Sequence, residues 1–408
     1  MKFFSFAPRP GFMLTVSLTA SSVFFASCGG SSGMLTQSLQ PATTSRAGTH
    51  RVLPAPSYHV LYSFNGGSDG VNPFAGLLNL NGTLYGTTAV GGSANAGTVY
   101  SVRTNGAESV VYSFVGGSDG AHPYGGLIKR NGALYGTTVN GGAFGEGTFF
   151  TIPRFGSETV LHSFGDGTDV AGPEFNYIKI SGAFFGTAGG GSHNDGTVYS
   201  VTPSGEETIL HSFVGGARDG RLPQGDLVKV NGALYGTTYE GGTSNGGVVF
   251  RIGRFATETV LHSFIGGGSD GLEPESGLTY LNGMLYGTTA AGGSTYGTVY
   301  SISTTGVESV LYSFVSGSDG VAPDSDLIDV NGTLYGTTSQ GGSYGAGTLY
   351  NITTAGVETV LHSFGGGSDG ASPHGGLLSV NGTIYGTTVF GGSGGCNSGC
   401  GTVFSLTP

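Results

Sequence analysis

Short runs of Val, Leu, Ile, Thr, Tyr and Phe follow one another from about residue 58 to residue 408, cut at regular distances by Gly, Asn, Asp and Pro. Runs of that length and make-up, bounded by turn formers, predict β-strands, and no helix is needed anywhere. The pattern also repeats. The Phe of a recurring Ser-Phe pair falls at Phe64, Phe114, Phe164, Phe213, Phe264, Phe314 and Phe364, at intervals of 50, 50, 49, 51, 50 and 50. So steady a period is one supersecondary unit stacked seven times.

Each unit reads as four strands. In the sixth copy the pieces are Glu308 to Phe314, Leu327 to Val330, Leu334 to Thr338 and Gly347 to Ile352, with Asn331-Gly332 between the second and third. Asn-Gly between apolar runs predicts a type I′ hairpin, because both central residues of that turn need positive φ. Four-stranded antiparallel units of fifty residues, repeated seven times, predict an all-β fold, a seven-bladed β-propeller. The two ends of the repeat carry the closure. The chain enters with a lone outer strand at Val60 to Phe64 and leaves at Val403 to Leu406 with the strand that normally precedes it. The N-terminal strand is therefore expected to complete the last blade and remove the open edge of a linear stack.

Gly 82 and Pro 15 in 408 residues would suggest disorder without periodicity, but here the glycines recur at fixed turn positions. Lys+Arg 14 against Asp+Glu 25 leaves a net charge of -11, and no copy carries a basic stripe, which argues against nucleic acid as a partner.

Residues 1–57 stand outside the repeat. Lys2 and Arg9 precede the apolar stretch Phe12 to Ala26, which has the proportions of an export signal and is too short and interrupted for a membrane span. Phe25-Ala26-Ser27-Cys28-Gly29 resembles the lipobox of bacterial lipoproteins, which implies a signal peptide over 1–28 and acylation of Cys28; Phe25 replaces the usual Leu, and ordinary cleavage with free secretion is the alternative. Residues 29–57, rich in Gly, Ser, Thr, Gln and Pro, read as a flexible tether before the propeller at 58–408. Cys396 and Cys400 bracket a loop that has grown from 12 to 16 positions, and a disulfide there fits an oxidising compartment. A metal site is the alternative, without further Cys or His nearby in sequence.

Tyr-Gly-Thr-Thr, Gly-Gly, Gly-Thr-Val-Tyr/Phe-Ser and Glu-Thr-Val-Leu-His-Ser-Phe recur in that order, and the whole of 58–408 resembles the glycine-rich tandem repeat of exported bacterial proteins known as the GloVer repeat family. The resemblance implies export, varied means of anchoring and no established biochemical activity. The layout is also similar to kelch and quinoprotein-type propeller repeats, whose tryptophans are missing: Trp is 0, which argues against a quinone stacked on Trp.

An Asp recurs at Asp69, Asp119, Asp169, Asp219, Asp270, Asp319 and Asp369. It reads as a turn carboxylate accepting backbone N–H groups; calcium, which needs six to eight oxygens, is the disfavoured reading, and no cofactor is expected. His162, His211, His262 and His362 share one repeat position with Tyr62, Tyr112 and Tyr312, which suits a packed ring with a polar tip and not a general base. Thr87-Thr88 and their equivalents are explained by β-propensity. A single ligand on a sevenfold ring must be read by residues that break the pattern. Copies three and four break it with Asp166, Glu174, Arg218, Arg221, Tyr239 and Glu240, predicted to come together on one face as a ligand patch, or as a salt bridge at the rim. No catalytic residue is assigned. The expected function is an exported, lipid-anchored monomer of the cell envelope, an outer-membrane lipoprotein or extracellular, touching membrane only through its N-terminal anchor and binding a glycan, peptidoglycan or a surface protein. An enzyme, lyase or hydrolase, at the mouth of the central channel is the rival reading, and a purely structural envelope repeat is a third.

Overall fold

Asn81 and Gly82 take φ of 54° and 82°, the positive pair a type I′ turn requires, and so join strand Leu78–Leu80 to strand Thr83–Thr88. The same turn recurs at Asn131, Asn231, Asn282, Asn331 and Asn381, with Ser181 in the third unit. The computed structural model describes residues 55–408 apart from 155–156, 168–169, 175 and 316. The expected signal peptide, Cys28, the tether up to residue 54, and Asp169 lie outside the described residues.

The strands after this hairpin are Thr98–Arg103 and Glu108–Ser113, and each of the four pairs antiparallel with the next to make one blade. Seven such sheets follow in order, a seven-bladed β-propeller. The inner strand is three residues long except in the fourth blade, where Gly220–Val230 runs on beside Ala233–Gly241. Three single 3-10 turns, at Gly67–Asp69, Gly117–Asp119 and Gly367–Asp369, are the only helical turns among the described residues.

In the seventh blade, Leu378–Val380, Thr383–Thr388 and Thr402–Thr407 are joined by Ser57–Ser63 as the outer strand, with Ser57 opposite Thr407, Val60 opposite Phe404 and Ser63 opposite Thr402. The circle thus closes as the two ends of the repeat predicted. The enlarged loop covers this seam: Cys396 and Cys400 form a disulfide, the Gly395 N–H donates to the Asn65 carbonyl at 3.3 Å and the Asn72 N–H to the Cys400 carbonyl at 3.0 Å.

Two contacts hold each blade to the next. The Phe of every Ser-Phe pair is fully buried and packs edge-to-face on the third-strand aromatic of the following blade, from Phe114 on Phe150 at 5.1 Å to Phe64 of the seventh blade on Tyr100 of the first at 4.9 Å. Burying each ring contributes about 1.5–3 kcal/mol of transfer free energy, with about 0.5–1.5 more from the ring pair. The space is tight: a Cβ at Gly86 would lie 2.4 Å from the Tyr100 hydroxyl, which explains Gly in Tyr-Gly-Thr-Thr. Second, at Thr87, Thr187, Thr237, Thr288 and Thr387 the first Thr of that motif donates to a carbonyl of the segment entering the next blade, as in Thr87 to Gly125 at 3.0 Å, Thr237 to Ser276 at 2.7 Å and, closing the ring, Thr387 to Ala75 at 3.1 Å. The threonines therefore join blades, a role β-propensity alone does not supply.

Candidate functional site

The repeated Asp does cap its loop. Asp219 Oδ2 accepts the Val214 N–H at 2.8 Å and Asp119 Oδ2 the Val115 N–H at 2.7 Å, and the ring seven or eight residues earlier points at the same carboxylate: Tyr112 Oη donates to Asp119 at 2.6 Å, and His211 Nε2 lies 3.3 Å from Asp219. His and Tyr thus do one job, which accounts for their exchange. A Glu from the outer strand of the following blade completes each cluster. Burial, then the neighbouring Asp119, pushes Glu158 up to about 8; Glu258, Glu308 and Glu358 are pushed up to about 7, again chiefly by burial. At the closing blade Tyr58 takes the place of that Glu, stacking on His362 at 3.7 Å and donating to the Asp369 carbonyl at 2.6 Å.

In two of these clusters, His211, Asp219 and Glu258, and His262, Asp270 and Glu308, one donor atom from each residue lies within 4.8 Å of the others. One nitrogen and two carboxylates could hold a transition metal better than calcium. Both His Nε2 atoms and the Asp oxygens are already spent on internal hydrogen bonds. This is seam chemistry, the same at blade after blade.

The six predicted patch residues divide. Arg221 is an ion-pair hub at the rim, Nε 2.7 Å from Asp195 Oδ1 of the preceding blade's loop and one guanidinium nitrogen 2.9 Å from Glu240 Oε2. Arg218 and Asp166 are exposed on the outward part of their loops. Tyr239 sits beside Glu273 and Glu275, and burial with those carboxylates holds its hydroxyl protonated. Glu174 faces inward, where burial alone pushes its carboxyl up to about 7, and its charge acts on Tyr124.

Glu174 belongs to a ring that the sequence pattern hid. Each inner strand is entered through a Pro, and the residue after it is Phe74, Tyr124, Glu174, Gln224, Glu275, Asp324 or His374 around the seven blades. These positions follow directly on the Asp loops and, among the described residues, alternate with buried neighbours, so their side chains line the mouth of the central channel. Phe74 packs on Tyr124 at 5.0 Å and on His374 at 5.9 Å, giving an aromatic arc over adjacent blades. Opposite lie the acids. His374 Nδ1 is 2.8 Å from Asp324 Oδ2; the Asp324 side chain is only 7% exposed and its Oδ1 is closed from solvent without a hydrogen-bond partner, while His374 keeps 36% exposure although protein surrounds it. Burial lowers the His374 pKa, but Asp324 and then Glu275 outweigh it and the net shift is upward. Burial, the charge of Asp324 and that of Glu273 push Glu275 up to about 7, against the pull of His374.

Two residues deeper the equivalent positions are Gly76, Gly126, Asn176, Asp226, Gly277, Asp326 and Gly376, at the top of a cavity of about 350 Å3 whose walls below are Ile178, Val228, Thr279 and Ile328. Glycine is needed at 76 and 277 because the axis is crowded: a Cβ at Gly76 would lie 2.8 Å from the Gly376 carbonyl oxygen and one at Gly277 2.6 Å from the Asp226 nitrogen. Asn176 binds Asp226 through its backbone N–H at 3.0 Å and its side-chain amide at 2.8 Å, and the Gly277 N–H donates to Asp326 at 2.5 Å. Burial holds Asp226 above the usual carboxylate range, and burial with the charge of Asp226 raises Asp326 well above it. A polar, acidic mouth thus stands over an acidic neck and a mostly aliphatic floor. The signal in the sequence was the column after each Pro, which changes from copy to copy while its neighbours repeat.

Fold and site together define a repeat propeller with a single asymmetric channel mouth. Residues 25–189, 175–332 and 283–408 match the Gloeobacter/Verrucomicrobia repeat, and the chain belongs to that family. Among solved structures it is similar to virginiamycin B lyase from Staphylococcus aureus, at 15% identity and TM-score 0.57 over 86% of this chain and 99% of that one. It is also similar to a puromycin-hydrolyzing peptidase of Mycobacterium tuberculosis, at 10% identity and TM-score 0.51 over 80% of this chain and 52% of that one. At such identities the likeness is one of fold. No curated protein sequence matches the chain.

Proposed function

We propose that the protein is an exported, lipid-anchored binding module of the bacterial envelope whose ligand, a glycan, peptidoglycan fragment or similar polar molecule, is taken at the channel mouth. One observation carries this reading: the ring after the seven prolines holds six residue types, whereas the seam residues around it hardly vary. A ligand that lacks sevenfold symmetry needs such a ring, and the seams do not provide it. Glu174 and Tyr239 of the expected patch belong with this mouth; Arg218, Arg221, Glu240 and Asp166 form its outer rim. Export is supported by the signal-like N-terminus and by the Cys396–Cys400 disulfide, which suits an oxidising compartment.

The test is a glycan and peptidoglycan-fragment screen of the full chain followed by calorimetry, with Arg218→Ala and Tyr239→Ala beside a mouth variant carrying Asp324→Asn and His374→Ala. Loss of binding in the mouth variant is expected. Parent-like binding by that variant, with loss in Arg218→Ala, returns the site to the rim. Labelling with a fatty-acid analogue that survives Cys28→Ser would remove the anchor.

Catalysis at the same mouth is a second reading, favoured by His374, whose Nδ1 lies 2.8 Å from Asp324 Oδ2. That is the arrangement of a positioned general base. Mass spectrometry of a bound ligand after incubation separates the two: a mass change lost in His374→Ala supports an enzyme, and an unchanged ligand supports a binder.

A further inference from the structure

We infer that the channel mouth selects a ligand bearing an aliphatic ammonium beside an apolar ring or chain, an inference that rests on the binding role proposed above. The two halves of the mouth carry the two parts of that ligand. Tyr124, Phe74 and His374 lie on consecutive blades and offer an aromatic arc with ring centroids 5.0 and 5.9 Å apart. Glu174, Glu275 and Asp324 face it, and no Lys or Arg occupies any of the seven ring positions.

The acids are left incompletely served by the protein. Asp324 spends Oδ2 on His374 at 2.8 Å, but Oδ1 is buried without a donor in a side chain only 7% exposed. A buried acceptor without a donor is costly, and an N–H that reaches it removes that cost. Glu275 and Asp324, from adjacent blades, repel each other, and a cation placed beside them relieves this while the nearby ring faces add cation–π attraction. A neutral sugar could satisfy the lone oxygen, but it would leave the charges where they are.

The acids also set a pH dependence. Glu275 is faced by Asp324, His374, Glu273 and Tyr239, and Glu174 by Tyr124; both carboxyls sit near 7 through burial. A bound ammonium favours their ionised forms, so binding expels protons at neutral pH and strengthens as pH rises through about 7. His374, raised above its ordinary value, loses its competing positive charge in the same direction. An aliphatic amine keeps its charge throughout, since its pKa is near that of Lys at about 10.4.

The experiment titrates the full chain with cyclohexylamine and with cyclohexanol, which share a ring and differ in charge, following protein NMR shifts at pH 5.5 and 8.0. The amine is expected to bind on the order of tenfold tighter than the alcohol, and on the order of tenfold tighter at pH 8.0 than at 5.5. Both differences should collapse in Glu275→Gln/Asp324→Asn and shrink in Glu174→Gln, with unchanged melting checking that the variants fold. Equal binding of amine and alcohol, no binding of either, or an amine preference that survives the double variant overturns the inference. If a neutral glycan binds and is lost with the mouth variants while the amine does not bind, the binding role stands and the ammonium falls; if glycan binding ignores the mouth variants, the role itself falls.

Discussion

The seams between blades and the mouth of the channel are built from the same fold and obey opposite rules. At a seam the same chemistry recurs: Phe on an aromatic ring, Thr on a carbonyl, Asp under a Tyr or His with a Glu from the next blade. At the mouth seven equivalent positions hold Phe, Tyr, Glu, Gln, Glu, Asp and His. A contact needed for assembly must be made seven times, so it repeats; a contact needed for one ligand is made once, so its sevenfold equivalents drift apart. In a repeat protein, identity between copies therefore marks the scaffold and difference between copies marks the work.

Experiments can break this contrast in order of size. Removing residues 1–63 deletes the outer strand of the seventh blade and uncovers the edge at Thr402–Thr407; a cooperative calorimetric melt should vanish and the chain should associate through the open edge. A cooperative monomeric melt would show that the seam at the ends is not what closes the ring. Phe264→Ala removes one buried seam ring packed on Tyr300 at 5.1 Å and should cost about 3–5 kcal/mol in urea unfolding.

The pH profile of stability comes next. Glu158, Glu258, Glu308 and Glu358 have folded pKa values raised to about 7 or 8, so between their unfolded values near 4.5 and those raised values the native state holds protons the unfolded chain has released. Stability is therefore greatest below the unfolded value and falls as pH climbs through 7 to 8. Asp219 and Asp369 run the other way: burial would raise them, but their His and backbone hydrogen bonds win, and they withdraw stability as pH drops through the acidic range. The melting temperature should peak near pH 5 and be lower at pH 8; a flat profile would mean that the seam carboxyls are better solvated than their packing indicates. Smallest is the effect of Glu275→Gln/Asp324→Asn on folding. Relieving acids held together at the mouth should leave stability unchanged or raise it by about 1 kcal/mol at most, the sign expected where function and not stability placed them. A loss of several kcal/mol would make the mouth another seam.

Much of the scaffold was legible because its signals are local or periodic. Asn-Gly turns announce themselves within two residues, the Ser-Phe spacing counts the blades, and the stray strand near Leu61 needs only its missing partner. The mouth was not legible in the same way. Glu275, Asp324 and His374 come from three blades and meet only across a closed ring, and residues 74 and 76 of each unit face the channel by an alternation that the following short strand is too brief to advertise. Gly76, Gly126 and Gly277 look like turn glycines and are in fact spacing for a crowded axis; Asn176, Asp226 and Asp326 fill it. The seam Glu escaped for a related reason: Glu108 lies 39 residues beyond Asp69, on the neighbouring blade, and only the interblade packing sets the two side by side.

The strand that completes the seventh blade is the first of the propeller to be synthesised, and its partner is the last. Ser57–Ser63 must wait without this partner while more than three hundred further residues are made, so the circle cannot be sealed before Thr402–Thr407 exists. Until then the seventh blade lacks the strand that joins head to tail, and an arc of blades can become a ring only through that one late pairing.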